Sequence, residues 1–397
     1  MSQHKGDPVI VSAVRTAFGK GIRGTLKDTR PDEMLAVVMS ELLRRVPNLQ
    51  PQELGDIVIG CGFPEGPQGM NVARLAALRA GIPETVPALT INRFCASGLD
   101  SLAQCTSRIR EGEIEAALAG GVESMSMVPM TGTQPRLNPH LVKSHPEAYF
   151  SMGLTAERVV ERFDISREDQ DRFALQSNQR AVAAIKAGKL KEEIVPLKVS
   201  VTEPTQDGKI KTSEFEFKID EGPRADTSLA ALAKLKPAFK KNGTVTAGNS
   251  SKLADGAAAL VVMSARKAKQ LGLRPLGRLL GYAVAGVPPE IMGVGPAIAI
   301  PKLLKRFNLK VADIDLFEIN EAFAAQILYV LRKLKIPEDK INVNGGAIAL
   351  GHPLGVTGTR LAGTLLYEMQ RRKSRYGVVS MCVGGGMGAA GLFERPL

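Results

Sequence analysis

The sequence predicts an α/β protein made of two similar halves, in which helices cover mainly parallel sheets and one segment is inserted into the first half. Three stretches recur in the same order along the chain: those at Asp56, Cys95 and Gly120 match those at Asp315, His352 and Cys382. Their spacing is nearly constant, as expected for a duplicated unit. Each half alternates strand-like and helix-like stretches, which is typical of parallel strands covered by helices.

The insertion is predicted from a difference between the halves. In the second half, residues 387–393 follow the Cys382 loop at once, whereas their counterpart, residues 255–261, comes long after Gly121. We therefore expect an N-terminal half formed by residues 1–124 with 247–274, an inserted domain of residues 125–246, and a C-terminal half of residues 275–397.

Individual elements follow from local patterns. Residues 86–92 form a short apolar run typical of a strand, and residues 96–109 place Leu99, Leu102 and Ile109 on one helical face. In the insertion, Ser166 can begin a helix that ends near Gly188. The polar, lysine-rich residues 200–218 are expected to form exposed strands or loops. In the second half, we expect strands at 341–343 and 377–381 and a helix over 358–370.

Cys95 lies at the predicted turn between a strand and a helix. The unpaired N–H groups and the positive dipole end of a helix N-terminus favour an anion, and the thiolate is the nucleophilic form of cysteine. The alternative is a small buried core residue, which is also the interpretation of Cys61 and Cys105.

His352 and Cys382 lie in glycine-rich turns. Four glycines and a proline surround His352 within residues 342–355, a composition suited to a fixed irregular turn. The run of three glycines from Gly384 follows Cys382 and can direct backbone N–H groups at a developing oxyanion. A lone histidine is more often structural, and the glycine run could be a plain hairpin. Two thiols and one imidazole together suggest acyl transfer.

At this point the chain resembles the thiolase family over nearly its whole length. The stretches that carry the resemblance, in chain order, are residues 11–19 (Val-Ser-Ala-Val-Arg-Thr-Ala-Phe-Gly), 92–98 (Asn-Arg-Phe-Cys-Ala-Ser-Gly), 120–126 (Gly-Gly-Val-Glu-Ser-Met-Ser), 320–324 (Asn-Glu-Ala-Phe-Ala), the His352 segment and the Cys382 segment. The resemblance implies the thiolase fold, with the insertion as a loop domain over the active site.

The resemblance also implies a role for each catalytic residue. Cys95 would be the nucleophile that becomes acylated, and His352 would help to form its thiolate. Cys382 would be the acid and base that moves protons at the acetyl carbon and the CoA thiol. His352, together with Asn320 acting through an ordered water, would bind the enolate. The N–H groups of Cys95 and Gly384 would bind the oxyanion of the tetrahedral intermediate. The implied reaction is thiolytic cleavage of 3-ketoacyl-CoA by CoA, with CoA as a substrate and no cofactor or metal.

Three further positions are implied to contact the substrate. Arg224 matches a family arginine near the CoA nucleotide, Ser251 a serine near the pantetheine, and Met152 a residue beside the acyl chain. Arg224 could instead belong to a solvated basic face, and Ser251 could be a turn residue. Short-chain biosynthetic members carry His-Met-Gly where this chain has Ser-Met-Gly at 151–153. This departure favours a degradative 3-ketoacyl-CoA thiolase over an acetyl-CoA acetyltransferase.

Composition agrees with an enzyme of this kind. The 397 residues are 44% hydrophobic and 23% charged, with a net charge of +12. No aromatic–basic interleaving points to nucleic acid, and no long uncharged stretch points to membrane insertion. Four cysteines without framework spacing argue against structural disulfides or zinc and favour a reducing compartment. With a strand-like start at residues 8–11 and no peroxisomal C-terminal tripeptide, a cytoplasmic protein is expected.

Other functions remain open at this stage. A decarboxylating condensing enzyme of related fold would also use a cysteine nucleophile but would not need Cys382. A catalytically silent lipid or CoA carrier would be expected to have lost a catalytic side chain. The resemblance also implies a homodimer or homotetramer, and the partners expected are 3-ketoacyl-CoA, acetyl-CoA and CoA.

Overall fold

The computed structural model describes residues 6–204 and 209–396. Residues 205–208 of the polar stretch 200–218 lie outside the described residues. Residues 1–5 and 397, at the two ends of the sequence from which a cytoplasmic protein is expected, lie outside them as well. In chain order the described strands are β1 (Pro8–Thr16), β2 (Gly19–Lys20), β3 (Asp56–Gly60), β4 (Ala88–Ile91), β5 (Ala116–Ser124), β6 (Ile194–Val195), β7 (Leu197–Pro204), β8 (Ile210–Phe217), β9 (Ala254–Ser264), β10 (Arg278–Gly286), β11 (Leu316–Ile319), β12 (Tyr376–Val383) and β13 (Met387–Glu394).

The α-helices confirm the predictions made for residues 96–109, 166–188 and 358–370. In chain order they are α1 (Pro31–Arg45), α2 (Val72–Arg79), α3 (Ser97–Arg110), α4 (Pro139–Ser144), α5 (Met152–Phe163), α6 (Arg167–Lys186), α7 (Leu229–Ala233), α8 (Ala265–Gln270), α9 (Gly295–Lys305), α10 (Ala324–Leu334), α11 (Ala347–Leu350) and α12 (Leu354–Arg372). Ser166 is the N-cap of α6, and its hydroxyl accepts a hydrogen bond from the Asp169 N–H at 3.1 Å. Within the described ranges, no helix combines the length and apolarity needed to cross a membrane.

Two sheets share one topology. The first has seven strands in the order β4-β3-β5-β9-β1-β6, with β2 paired to β9, and the second has the order β10-β13-β12-β11. The path β3-β5-β9-β1 in the first sheet therefore corresponds to β11-β12-β13-β10 in the second. This correspondence confirms the predicted duplication.

The prediction of mainly parallel sheets is wrong in detail, because both sheets are mixed. β3 pairs in parallel with β4 and β5, and β11 pairs in parallel with β12, but β9 and β13 are antiparallel to both of their main neighbours. The cause is visible at the end of the chain. Only the short glycine loop after Val383 separates β12 from β13, and so short a connection can join only antiparallel strands.

The strand predicted at residues 341–343 is also not formed. Ile341 makes only an isolated parallel bridge to Phe317, and Asn342 has a positive φ of 43°. The Asn342 side-chain amide makes the hydrogen bonds that a neighbouring strand would otherwise make with β11. It accepts from the Ile319 N–H at 2.9 Å and donates to the Ile319 carbonyl at 2.8 Å. An asparagine tolerates this left-handed conformation better than most residues do.

Helices α3 and α12 form a central layer between the two sheets. One core cluster contains Leu99 and Leu102 of α3, Leu361 of α12, Leu260 of the first sheet and Val379 of the second. Residues 354–369 of α12 are all buried. Burial of a leucine side chain contributes about 1.5–3 kcal/mol, so this layer is a major source of cohesion between the halves. Helices α1 and α2 cover the outer face of the first sheet, and α9 and α10 cover that of the second.

Glycines bring these two helices into backbone contact. A β-carbon on Gly98 of α3 would lie 2.4 Å from Thr359 Oγ1 and 2.7 Å from the Gly355 carbonyl oxygen. A β-carbon on Gly358 of α12 would lie 2.3 Å from the Leu99 nitrogen. Any larger residue at either position would push the helices apart.

The segment between β5 and β9 is tied to the first sheet by a buried charge cluster. Arg15 of β1 forms ion pairs with Glu193 at 2.7 Å and with Asp220 at 2.6 Å, and all three side chains are at most 3% exposed. β6 also extends the first sheet by pairing in parallel with β1. These contacts fix the segment over the ends of the strands that carry the predicted site.

Candidate active site

Cys95 lies in a single 3₁₀ turn, Phe94–Ala96, between β4 and α3. The turn begins with Phe94 at a φ of 42°. Asn92 holds it from one side, because its amide oxygen accepts from the Phe94 N–H at 2.7 Å and its amide nitrogen donates to the Gly62 carbonyl at 2.9 Å. Ser97 holds the other side by accepting from the Arg93 N–H at 2.8 Å. The thiol is thus fixed at the start of a helix, as predicted.

Burial nevertheless opposes ionisation of this thiol. It raises the pKa of Cys95 to about 12, although the N–H groups of Gly384 and of Cys95 itself lower it, and the charge of Glu123 raises it further. The expected benefit of the helix N-terminus is therefore outweighed by desolvation. Cys95 rests as a neutral thiol, and a thiolate can form only as part of the reaction.

His352 is held in one tautomer by its own helix. Its Nδ1 lies 2.6 Å from Thr357 Oγ1, and that hydroxyl donates to the Pro353 carbonyl at 2.9 Å. Because the hydroxyl proton is already committed, Nδ1 must carry a proton and donate it to Thr357. Nε2 then carries no proton but a lone pair, the form of imidazole that can act as a base.

Asn320 faces that lone pair. It follows β11 directly, its backbone N–H donates to the Ser380 carbonyl at 2.9 Å, and its amide Nδ2 lies 3.2 Å from His352 Nε2. Both side chains are buried, and burial, followed by the charge of Arg360, lowers the pKa of His352 to about 3. His352 is therefore neutral at rest, and a positive charge on it requires a nearby anion.

Cys382 and Gly384 approach from the second sheet. Cys382 is fully buried near the end of β12, and its pKa is raised well above the ordinary value by burial and then by Cys95. After Val383 the chain turns through Gly385 and Gly386, with φ of 79° and 86°. The glycine segment is thus a hairpin, and its Gly384 N–H lowers the pKa of the Cys95 thiol. The hairpin interpretation is confirmed, and the oxyanion role of the Gly384 N–H stays a prediction.

One cavity of about 730 Å³ joins these groups to the predicted substrate contacts. Cys95, His352, Met152, Arg224 and Ser251 all line it. Cys382 lies behind its wall, in a cluster with Met152 and other apolar side chains. A β-carbon placed on Gly384 would lie 3.6 Å from the Met152 sulfur, so the glycine loop borders the same wall.

Two kinds of side chain line this cavity. Lys20, Arg224 and Lys252 line one part of it. Methionines and other apolar side chains also line it: Met125, Met130, Met152, Met292, Phe323 and Leu354. Arg224 is exposed and pairs with Asp226 at 2.9 Å. The cavity therefore offers cations to one portion of a ligand and an apolar surface to another.

Sequence reasoning missed Lys252. Its ammonium donates to the carbonyls of Ile348 and Ala349 at 2.9 and 3.2 Å, and its own carbonyl accepts from the His352 N–H at 2.9 Å. Burial, followed by the charges of Lys20 and Arg224, lowers the pKa of Lys252 to about 8. Its position beside Ser251 was the only available signal, and it did not distinguish this lysine from a surface one.

Glu123 was missed as well. Its buried carboxylate accepts from the N–H groups of Gly62 at 2.6 Å and Gly355 at 2.7 Å and from the Gln68 amide at 2.6 Å. It therefore joins the loop after β3 to the start of α12, just beyond His352. Thr357, which fixes the His352 tautomer, likewise had no visible signal in the sequence.

Comparison with known proteins identifies the class to which this fold and site belong. The thiolase N-terminal domain matches residues 8–266 and the thiolase C-terminal domain matches residues 273–395. The chain belongs to the thiolase family, which confirms the family and the fold predicted from the sequence.

Particular relatives are similar over almost the full length. The 3-ketoacyl-CoA thiolase of Bacillus subtilis is 52% identical over 98% of this chain and 99% of its own, and the human peroxisomal 3-ketoacyl-CoA thiolase is 50% identical over 98% of this chain and 91% of its own. The dimeric peroxisomal thiolase of Saccharomyces cerevisiae matches with a TM-score of 0.88 and 41% identity, covering 100% of this chain and 99% of its own. The acetyl-CoA acetyltransferase of Bacillus anthracis matches with the same score and identity, covering 100% of both chains.

Proposed function

We propose that this protein is a 3-ketoacyl-CoA thiolase, which uses CoA to cleave a 3-ketoacyl-CoA into acetyl-CoA and a shortened acyl-CoA. The observation that carries the proposal is that the Cys95 thiol and the His352 imidazole line one cavity, with the Gly384 N–H acting on the Cys95 thiol and the Cys382 thiol behind the cavity wall. The similarity to proteins named 3-ketoacyl-CoA thiolase supports the same activity.

In the first step, the Cys95 sulfur attacks the ketone carbon C3 while its proton moves to His352 Nε2. The two events are coupled because burial disfavours both the isolated Cys95 thiolate and the isolated His352 imidazolium. When the two charges form together, their attraction stabilises both. The tetrahedral oxyanion accepts hydrogen bonds from the N–H groups of Cys95 and Gly384. Removing one such donor typically costs about 3–4 kcal/mol of transition-state stabilisation.

In the second step, the bond between C2 and C3 breaks and leaves the acyl group on Cys95. The departing acetyl-CoA enolate accepts hydrogen bonds from His352 and, through an ordered water, from Asn320. Cys382 then donates its proton to the enolate carbon. Its raised pKa suits this role, because a thiol that holds its proton at rest remains available as an acid.

In the third step, the Cys382 thiolate takes the proton from the thiol of an incoming CoA. The CoA sulfur attacks the acyl group, the shortened acyl-CoA leaves, and His352 returns its proton to Cys95. The cycle restores both cysteines and needs no metal, redox cofactor or other co-reactant. It is a ping-pong scheme, and it runs backwards as a condensation.

CoA itself is proposed to lie with its anionic nucleotide at the cationic part of the cavity. Lys20, Arg224 and Lys252 supply positive charge there, and Ser251 lies beside them for the pantetheine arm. The exposed Arg224–Asp226 pair does not prevent this, because exposed ion pairs contribute little and can exchange partners.

The second candidate is an acetyl-CoA acetyltransferase that forms acetoacetyl-CoA. It is supported by the full-length similarity to a structure of that name. Ser151 disfavours it, because a serine replaces the histidine of short-chain members. Ser151 lines the cavity, and its hydroxyl caps α5 by accepting from the Leu154 N–H at 3.4 Å. A silent carrier is disfavoured because Cys95, Asn320, His352 and Cys382 are all present.

The test follows CoA-dependent loss of the enolate absorbance of acetoacetyl-CoA and of a long-chain 3-ketoacyl-CoA, with Cys95→Ser as the control. Activity on both substrates, or more on the longer one, supports the proposal. Activity on acetoacetyl-CoA alone supports the acetyltransferase, and activity on neither contradicts the thiolase proposal and favours the carrier or the condensing enzyme. Turnover by a Cys382→Ser variant would support the condensing enzyme.

We further propose that the chain assembles as a homodimer or a pair of dimers through β4. Among the described strands, β4 pairs only with β3, so no described strand covers its other edge, where the Ala88 carbonyl accepts from the Asn71 amide at 2.8 Å. Leu89 on this strand is 44% exposed, and Leu75 and Leu78 of the neighbouring α2 are 40% and 46% exposed. Light scattering should give at least twice the chain mass, and a Leu89→Lys variant should shift it towards the monomer. A monomer for the unaltered protein would contradict the proposal.

A further inference from the structure

Glu321 directly follows Asn320 but takes no part in the three proposed reaction steps. It is 1% exposed, and its carboxylate accepts three hydrogen bonds. The donors are the Ser177 hydroxyl at 2.6 Å, the Asn342 side-chain amide at 2.8 Å and the Ile348 N–H at 3.2 Å. Ser177 belongs to α6 of the insertion and Ile348 to α11. One carboxylate therefore ties the residue next to Asn320 to three separate segments of the chain.

The glycine-rich loop before His352 leaves space for this carboxylate. A β-carbon on Gly346 would lie 2.1 Å from Glu321 Cδ, so a larger residue there would displace the carboxylate. The Gly346 N–H donates to Ser177 Oγ at 3.2 Å. The hydroxyl therefore accepts from the loop and donates to Glu321, which joins the insertion, the loop and the carboxylate in one close contact.

Asn320 depends on this contact more than His352 does. His352 has anchors of its own, because its N–H donates to the Lys252 carbonyl at 2.9 Å and its Nδ1 lies 2.6 Å from Thr357 Oγ1. Asn320 donates from its backbone to the Ser380 carbonyl at 2.9 Å, and among the described residues its side chain bonds only to His352, at 3.2 Å. Loss of the Glu321 carboxylate would therefore free the Asn320 amide more than the imidazole.

Asn342 extends the same set of hydrogen bonds to the other side of Asn320. Its amide nitrogen donates both to the Ile319 carbonyl and to Glu321, each at 2.8 Å. Because both partners are acceptors, the amide has one orientation, with its oxygen facing the Ile319 N–H at 2.9 Å. The residues before and after Asn320 are thus held by one linked network.

We propose that Glu321 is a positioning residue that fixes the Asn320 amide relative to His352 and thereby serves the enolate step. This role rests on the proposed thiolase function. In that function Asn320 contributes only to the enolate, whereas transfer of the acyl group between Cys95 and CoA uses other hydrogen-bond donors. A misplacement of about 1 Å can lower a rate about 10²-fold. Changes at Glu321 should therefore slow carbon–carbon cleavage and spare acyl transfer.

The test compares two reactions of the same protein. The first is a single turnover of acetoacetyl-CoA with the enzyme in excess and CoA present, which requires the enolate. The second is the exchange of isotope-labelled CoA into acetyl-CoA, which passes only through acetyl-Cys95. Glu321→Ala should slow the first reaction about a hundredfold and the second less than about threefold. Glu321→Gln keeps the size of the side chain, but its NH₂ group leaves at least one donor without an acceptor, so cleavage should slow about tenfold.

The ratio of the two rates separates positioning from stability, because loss of folded protein lowers both rates alike. Asp56→Asn is the matched control: Asp56 is also buried, accepts from the Ile57 N–H at 2.7 Å and pairs with Arg108, but it begins β3 at the end of the sheet away from Cys95. This variant should lower the melting temperature and leave the ratio unchanged.

Ser177→Ala removes one donor of Glu321 without touching the carboxylate and should lower the ratio of cleavage to exchange about fivefold. A ratio equal to that of the unaltered protein in both Ser177→Ala and Glu321→Gln would overturn the inference and leave the thiolase proposal intact. An unaltered protein that catalyses neither reaction would overturn the thiolase proposal and the role of Glu321 with it.

Discussion

The buried histidine should make this protein sensitive to acid in a way that one substitution can isolate. In an unfolded chain His352 would bind a proton near its ordinary pKa of 6.5, whereas in the folded protein burial lowers that pKa to about 3. Between these values the unfolded state holds more protons, so the free energy of unfolding must fall as the pH falls.

The expected size follows from this difference. Between pH 7 and pH 5 the fraction of unfolded chains protonated at this position rises from about a quarter to nearly all, while the folded protein stays unprotonated. This one group then lowers the free energy of unfolding by about 2 kcal/mol. Other groups titrate in the same range, so the quantity to measure is the difference between the protein and a His352→Gln variant.

The assay is denaturant unfolding at pH 7 and pH 5, at one fixed protein concentration. His352→Gln should be less stable at pH 7, because Thr357 and Asn320 lose their partner, but it should lose about 2 kcal/mol less between the two pH values. His140→Gln provides a matched control, since His140 is exposed. An identical loss of stability in the unaltered protein and in His352→Gln would refute the assignment of a neutral buried imidazole.

Three further outcomes test the site. Cys95→Ser should abolish turnover without changing the melting temperature by more than a few degrees, because an alkoxide is harder to form than a thiolate. In the unaltered protein, iodoacetamide should label Cys95 in preference to the other cysteines, and equal labelling of all four would contradict this expectation. Gly384→Pro removes the N–H that faces the Cys95 sulfur and should lower kcat about 10²–10³-fold, while Gly384→Ala keeps that N–H, meets only ordinary contacts and should retain most activity. Lys252→Met removes two hydrogen bonds to the His352 loop and should lower kcat about tenfold. Because the pKa of Lys252 is about 8, the unaltered enzyme should lose activity above that pH as the ammonium deprotonates, whereas Lys252→Arg should not. The same loss of activity at high pH in both proteins would contradict the proposed role of the Lys252 hydrogen bonds.

Residues that act through local patterns could be predicted from the sequence. Cys95 stands at a strand-to-helix turn and His352 in a glycine-rich turn, and Ser166 begins α6 with a side chain that caps its own helix. Cys61 and Cys105 were expected in the core, and both are fully buried. These positions are recognisable because the residues that give them their environment are close in the chain.

Residues that act across the fold could not be predicted in this way. Glu123 accepts a hydrogen bond from the N–H of Gly355. Lys252 donates to the carbonyls of Ile348 and Ala349. These partners are far apart in the sequence, and no periodic pattern predicts such contacts. The thiol acidity of Cys95 was misjudged for the same reason. A helix N-terminus is visible in the sequence, but the desolvation that outweighs it is produced by the assembled cavity.

The backbone contact between α3 and α12 has a consequence for how such an enzyme can change. Cys95 precedes one of these helices and His352 precedes the other, so the glycine packing sets how closely the chain segments that carry the sulfur and the imidazole approach each other. Main-chain contacts set this distance, and single substitutions at the glycines cannot change it in small steps, since even one added methyl group collides with the partner helix. The walls that meet the acyl group carry no such restriction. Variation in substrate choice can therefore accumulate around a reaction centre that stays geometrically constant.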